Sequence, residues 1–191
     1  MYAIIAIKVA IALLLTAAPA LAHVTPPVVL SSDRDAVRDL LPGAKRYFVR
    51  EVRLSAAERQ RLEKQTGWLP EEDFYRFYIG RDAQRHDVGA AIFLTDYTSH
   101  GPVRIAVGLS PEGKVTAARV VELSEETYPW VKGLIDRGFL QSFNGRDTRA
   151  SFPADSAPGS SMSRFYGNVI TRLVHRAVLL YDSTILGREP R

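Results

Sequence analysis

Cysteine is absent from this sequence of 191 residues. Its absence excludes disulfide bonds, thiolate metal sites, iron–sulfur clusters and a covalently attached c-type haem, so any redox cofactor must be held in another way. The H-E-x-x-H and G-x-S-x-G motifs and the glycine-rich phosphate loops are absent too. A hydrolase or a nucleotide-dependent enzyme therefore has no support beyond residue types alone.

A strong charge of one sign is also absent. The chain carries 25 Lys and Arg against 21 Asp and Glu, a net charge of +4, and its arginines are scattered. This mild excess argues against nucleic acid as a partner. With 46% hydrophobic and 24% charged residues, the composition is that of a globular protein, and we expect a single domain over residues 23–191.

Long hydrophobic runs are missing except near the start of the chain, where an apolar stretch extends from Val9 into Leu15. Small residues then lead to Ala22, and the pattern is typical of a secretory signal peptide over residues 1–22, cleaved before His23. It predicts a periplasmic or otherwise extracytoplasmic protein. An uncleaved anchor, which would leave the protein membrane-associated, is the alternative interpretation of the same run.

The pattern of the remaining chain predicts an α+β fold, with packed helices on an antiparallel sheet. Ser55 and Glu58 form an S-x-x-E capping box for a charged surface helix that Gly67 ends. A leader segment and a short helix precede it in the chain. Another helical stretch follows the strands, at residues 128–143. The strongest amphipathic helix spans residues 163–182, with Phe165 on its apolar face. Strands are expected at residues 45–54, 74–80, 88–96, 103–110 and 114–123, the last two joined as a hairpin by residues 111–113.

The stretch DSAPGSSMSRFYG, residues 155–167, is a loop that changes abruptly into this helix. A helix N-terminus exposes unpaired N–H groups and a partial positive charge, so it can bind a phosphate. Ser161 and Ser163 lie at this entrance. Taken alone, the serines are most simply explained by one of them being the N-cap of the helix.

The order of motifs around this entrance resembles the FMN-binding domain family. The hairpin is followed by EETYPW, then by GFLQSFNGRD, and then by DSAPGSSMS before the amphipathic helix. The resemblance covers residues 88–181, roughly half of the chain. The family includes flavinylated subunits of sodium-pumping and ferredoxin-linked respiratory complexes and the extracytoplasmic domain of nitrous-oxide-reductase regulators.

In that family a D-x-x-S-G-A-T motif receives FMN through a phosphoester to its threonine, installed by a flavin transferase that uses FAD. The resemblance places the motif's aspartate at Asp155 and its glycine at Gly159. Ser160 replaces the alanine, and Ser161 takes the place of the acceptor threonine. Proline stands where the motif has its serine, and Ser163 is a second possible acceptor.

The family's E-T-P-G loop, which lies against the flavin ring, is matched by Glu126 and Thr127. Tyr128 intervenes before Pro129, and Trp130 replaces the glycine. The resemblance makes Glu126, Thr127 and Tyr128 the expected ring-side contacts. An aromatic side chain at 128 or 130 suits stacking on a flavin, but packing under a loop explains either one equally well.

A third segment, FLQSFNGR, resembles the family's F-x-x-x-F-x-G-K/R pattern. Phe139 and Phe143 are four residues apart and are expected in the core, with Gly145 ending the helix.

The resemblance implies an electron-transfer flavoprotein that holds FMN, rather than an enzyme that transforms a substrate of its own. Its implied partners are a flavin transferase and a membrane-bound or periplasmic redox protein. One alternative is a flavin-free periplasmic binding or assembly subunit that keeps the fold. Another is a copper site in which the amine and imidazole of His23 act with His86, His100 or His175.

Overall fold

The computed structural model describes residues 26–152 and 156–188. The predicted signal peptide, residues 1–22, and Asp155 lie outside these ranges. Within them, no helix is both long and apolar enough to span a membrane.

Six strands form one antiparallel sheet in the order β1-β6-β5-β4-β3-β2. Strands β2 to β6 follow one another as a meander, and β1 pairs with the last of them. The strands are β1 Pro27–Val29, β2 Arg46–Val52, β3 Tyr75–Arg81, β4 Asp87–Thr98, β5 Gly101–Leu109 and β6 Val115–Ser124. The predicted α+β class and antiparallel sheet are confirmed, as is the β5–β6 hairpin.

The described helices are α1 Asp33–Leu40, α2 Ala56–Thr66, α3 Tyr128–Asp136, a 3₁₀ helix Phe139–Phe143, and α4 Ser161–Thr184. The capping box predicted for α2 is present, with Ser55 and Glu58 each bonding the other's backbone N–H. Gly67 ends the helix in the left-handed conformation, at φ 70°. These local signals were sufficient because each bond joins residues close together in the chain.

The sheet separates two clusters of buried side chains. Helix α1 covers one face, where Val37 and Leu40 pack against Ala91, Ala106 and Val121. Helices α2, α3 and α4 and the 3₁₀ helix share the larger core on the other face. Helix α4 lies centrally there, in contact with α3, β4 and β5. Its entrance is therefore fixed by packing on several sides.

The helical stretch predicted at residues 128–143 is two helices. Gly138 has a φ of 74° and separates α3 from the 3₁₀ helix. Phe139 and Phe143 are buried, as expected, with ring centroids 5.3 Å apart. Gly145 follows the 3₁₀ helix, and its N–H donates to the carbonyl of Val115 at 2.7 Å. This bond ties the segment to the first residue of β6.

The leader contributes a strand where no element was predicted: β1 pairs with β6 from Pro27 onward, and proline is tolerated at the start of an edge strand. Two expectations need correction. Phe165, placed on the apolar face, is 43% exposed, while the neighbouring Tyr166 is fully buried. Helix α4 begins at Ser161, and its N-cap is Ser160 rather than either of the two serines expected at the cap.

Candidate functional site

The start of α4 combines a capped backbone with an exposed hydroxyl. The Ser160 side chain accepts a hydrogen bond from the N–H of Ser163 at 3.2 Å, which is the N-cap arrangement. Ser161 is the next residue and is exposed. In the part of the chain that the structure describes, its hydroxyl has no hydrogen-bond partner. The cap and the predicted acceptor are thus different serines.

Ser163, the second possible acceptor, lies in a different environment. It is buried, and its hydroxyl donates to the carbonyl of Trp130 at 3.2 Å. The same hydroxyl lies 3.2 Å from that of Ser160. Modification at Ser163 would therefore require the first turn of α4 to move away from α3.

Two guanidinium groups border the entrance at Gly159, whose φ is 112°. Arg164 donates to the carbonyl of Gly159 at 2.9 Å. A Cβ built on Gly159 would lie 3.0 Å from an Nη of Arg137 and 3.1 Å from the Cβ of Ser163. Because Gly159 has no side chain, the loop passes close to the guanidinium of Arg137 and to Ser163.

The groups at the start of α4 are suited to binding a phosphate. Helix α4 is 24 residues long and has no acidic residue in its first turn. Its N-terminal N–H groups and partial positive charge favour an anion, and Arg137 and Arg164 add two formal positive charges beside it. The exposed Ser161 hydroxyl lies at the same end of the helix.

Aromatic rings lie next to the entrance. The indole of Trp130 stacks on the ring of Tyr166, with centroids 5.7 Å apart and planes 12° apart. The imidazole of His100 meets the indole edge-on at 5.4 Å, and Phe165 packs edge-on against Tyr166. His100 also lies 3.8 Å from the carboxylate of Glu126. Trp130 and His100 are half-buried and Phe165 is exposed, so this group presents aromatic surface to solvent.

Tyr166 anchors this group to the sheet. Its hydroxyl lies 3.2 Å from that of Thr98, at the end of β4. Burial raises the pKa of the Tyr166 phenol above its ordinary value, although the Thr98 contact opposes the shift. The phenol is therefore neutral at physiological pH.

The three expected ring-side residues separate in the structure. Glu126 is exposed and lies beside His100. Thr127 is fully buried, and its hydroxyl donates to the carbonyl of Ser124 at 3.0 Å. Tyr128 lines a groove of about 410 Å³ beside β6, formed with Lys132 and other residues of α3 and the 3₁₀ helix. Of the three, Glu126 contacts the aromatic group.

Sequence reasoning did not assign site roles to Arg137, Arg164 or Tyr166, and it considered His100 only as a copper ligand. Arg137 follows α3 and Arg164 lies within the first turn of α4. No motif joins them, since only the folding of α3 against α4 brings them to the same loop. A second cleft, of about 650 Å³ between β3 and β4, contains none of the predicted site residues.

The copper hypothesis combines His23 with one of three other histidines, and the structure describes those three. Over residues 26–152 and 156–188, no group of three or more His, Asp or Glu side chains is arranged to hold a metal ion. His86 is exposed and contacts Asp82 at 3.4 Å, whereas His175 stacks on Phe152 at 4.6 Å. His23 lies outside the described residues.

Comparison with known proteins adds no further assignment. No known family matches the sequence, and no curated protein matches it.

Proposed function

We propose that the protein is an extracytoplasmic FMN-binding protein that carries electrons, with the flavin phosphate attached to Ser161 at the start of α4. The observation that carries this proposal is the exposed Ser161 hydroxyl, free of hydrogen bonds to the described residues, at a helix N-terminus bordered by Arg137 and Arg164. The resemblance of residues 155–163 to a flavinylation motif supports the same position.

Attachment would be a phosphoryl transfer from FAD, catalysed by a separate flavin transferase. The Ser161 oxygen forms a bond to the phosphorus of the FMN half, the pyrophosphate bond breaks, and AMP leaves. The serine proton passes to a base of the transferase. The phosphoester that results keeps one negative charge, which the α4 N-terminus and the two guanidinium groups stabilise.

The aromatic group beside the entrance would hold the ring system. Trp130, His100 and Phe165 offer the exposed or half-buried surface, and Tyr166 holds Trp130 in place through its stacked ring. When bound, the flavin supplies the capacity to accept and donate electrons. The chain itself limits the exposure of the ring and adjusts its potential through burial and hydrogen bonds. Its electron partners would be a membrane-bound redox complex and a periplasmic acceptor.

The test is expression of the chain together with a flavin transferase, followed by intact-mass measurement and a visible spectrum in denaturant. We expect a mass increase of one FMN less one water, and yellow colour that survives denaturation. Ser161→Ala should lose both, whereas Ser163→Ala should keep them. The same mass increase in Ser161→Ala would move the acceptor to another serine.

Two other outcomes would change the proposal itself. Colour that is lost on denaturation would mean that FMN is bound without a covalent bond. A colourless protein of unmodified mass, obtained beside a known flavinylated protein that the same transferase modifies, would favour the flavin-free periplasmic subunit.

A further inference from the structure

The two edges of the sheet differ in how they are protected. Strand β1 forms one edge and is only three residues long, beginning at Pro27. Strand β2 forms the other edge and pairs with β3 over seven residues in a continuous register, from Arg46 with Arg81 to Val52 with Tyr75. Short strands, prolines, bulges and charged side chains are the usual means of preventing further pairing at an edge. Strand β2 has no proline and no break in its register, and only its charged side chains restrict what can pair with it.

The middle of β2 is apolar and exposed. Tyr47, Phe48 and Val49 are 43%, 45% and 59% exposed, and every side chain from Arg46 to Glu51 is open to solvent. Half of the backbone N–H and C=O groups of an edge strand point away from the sheet, without a strand partner. A regular, exposed edge with apolar side chains is the surface to which an extended segment adds.

The charge of this edge is strongly positive. Four cations, Lys45, Arg46, Arg50 and Arg53, accompany one anion, Glu51. That single carboxylate is already engaged by Arg53 at 3.0 Å and by a guanidinium of β3 at 3.5 Å. Among the residues the structure describes, Lys45, Arg46 and Arg50 have no carboxylate partner. An occupant of this edge must therefore be acidic.

The apolar side chains of β2 point to both faces of the sheet, and this favours an added strand over a flat membrane surface as the occupant of the edge. Successive residues of a strand point to opposite faces of the sheet. Tyr47 lines a groove with Val37 of α1, while Phe48 carries the guanidinium of Arg81 over its ring at 4.8 Å on the other face. A bilayer would meet only one of these faces at a time, whereas an added strand contacts the edge along both.

We propose that β2 is a docking site for an extended acidic segment of a protein partner, which joins the sheet as an additional edge strand. A second copy of this chain is a poorer occupant, because antiparallel pairing of two β2 strands would bring two sets of unpaired cations together. Side chains of the acidic segment would contact Arg46 and Arg50, and its apolar residues would cover Tyr47 and Val49. This inference concerns the sheet edge and does not depend on flavin.

The probe is a short synthetic peptide that alternates glutamate with valine, used up to millimolar concentration, beside a matched peptide with lysine in place of glutamate. Hydrogen exchange read by NMR reports where the peptide binds, and fluorescence anisotropy reports the affinity. We expect only the glutamate peptide to bind, with an affinity that falls as salt rises and with slower exchange of β2 amides. Absence of binding, or protection located elsewhere, would overturn the proposal.

Two variants separate charge from backbone pairing. The double variant Arg46→Glu/Arg50→Glu should weaken binding by about tenfold or more. Arg119→Glu/Arg149→Glu makes the same change in net charge, on β6 and in the loop after the 3₁₀ helix, and should bind as the parent does. Val49→Pro removes one amide donor from β2 and should also weaken binding, once circular dichroism shows that the variant is folded. Equal affinity of all these variants would contradict strand addition at β2.

Two controls address the other occupants. Sedimentation velocity without peptide should show no self-association through β2, since concentration-dependent protection of β2 amides would assign the edge to a second copy. Vesicles of phosphatidylglycerol should not protect these amides. Protection by vesicles but not by the glutamate peptide would assign the edge to a membrane surface instead.

Discussion

The hydroxyl of Ser163 donates to the main-chain carbonyl of Trp130 at 3.2 Å and so joins the first turn of α4 to the first turn of α3. Because both residues flank the candidate site, this bond sets where the Ser161 end of the site lies relative to its aromatic group. It also removes Ser163 from the solvent-exposed hydroxyls. Of the two neighbouring serines, Ser160 is the cap and Ser161 is the proposed acceptor.

Replacement of Ser160 by alanine should reduce stability more than replacement of Ser161. Ser160→Ala removes the side-chain acceptor for the N–H of Ser163, and an N-cap of this kind is worth about 1 kcal/mol. Ser161→Ala removes an exposed hydroxyl without a bond to the described residues and should change the free energy of unfolding by a few tenths of a kcal/mol or less. Urea unfolding of both variants checks this, and equal losses would mean that Ser160 is not the effective cap.

Replacement of Gly167 by any larger residue should lower the stability of the protein. A Cβ at this position would lie 2.1 Å from the Cβ of Ala157, in the loop that leads into α4. Gly167→Ala should therefore displace that loop and cost about 1–3 kcal/mol in unfolding free energy. Gly133, within α3, has no atom within 4 Å of a built Cβ, so Gly133→Ala should be neutral or stabilise by up to about 1 kcal/mol. Similar stabilities for the two variants would show that the loop lies farther from α4.

The elements that could be predicted from sequence are those whose signals are local. The Ser55–Glu58 capping box needed only residues three apart, and the β5–β6 hairpin needed only alternation around a turn ending at Gly113. The break at Gly138 was missed, because apolar spacing on both sides was compatible with one continuous helix. Only the left-handed backbone at that glycine separates the two helices.

The candidate site depends on contacts between distant parts of the chain. The sequence placed Gly159 and Ser161 at a helix entrance, but Arg137 and His100 come from other elements and carry no motif. Burial also separates two adjacent residues that were both expected to contact the flavin ring, since Glu126 is exposed and Thr127 is buried. Thr127 bonds within its own turn and faces no solvent, so its role as a ring contact could be judged only from the folded chain.

The ion pair between Asp33 and Arg104 should make stability depend on pH. The two terminal guanidinium nitrogens contact the carboxylate, at 2.6 and 2.8 Å, and this bonding holds the pKa of Asp33 below its ordinary value of 3.8. A lowered folded-state pKa stabilises the protein above the unfolded value, and the contribution is lost as pH falls through the folded value. We expect Arg104→Met to cost about 0.5–1 kcal/mol near neutral pH, and less as the pH falls below 3.8.

The matched control for that pair is Arg38→Met. Arg38 contacts Asp35 at 2.8 Å on the same helix, but both side chains are more exposed than Arg104. This change should have little effect at any pH, because exposed pairs are screened by solvent. Urea unfolding at neutral and acidic pH measures both variants. A cost for Arg104→Met that does not change with pH would assign it to lost packing on Phe93, whose ring lies 4.6 Å from the guanidinium.

Trp130 should lie against the ring of a flavin attached to Ser161, and flavin fluorescence can test this contact. An indole stacked on a flavin quenches its emission by electron transfer over contact distance, so Trp130→Leu should raise the emission of the flavin-loaded protein severalfold. The chain has one other tryptophan, Trp68, which packs against Tyr75 and lies under the guanidinium of Arg176. Trp68→Leu should leave the emission unchanged. If Trp130→Leu stays as dim as the parent while the flavin remains attached, the ring lies away from α3, and the groove lined by Tyr128 becomes the better position for it.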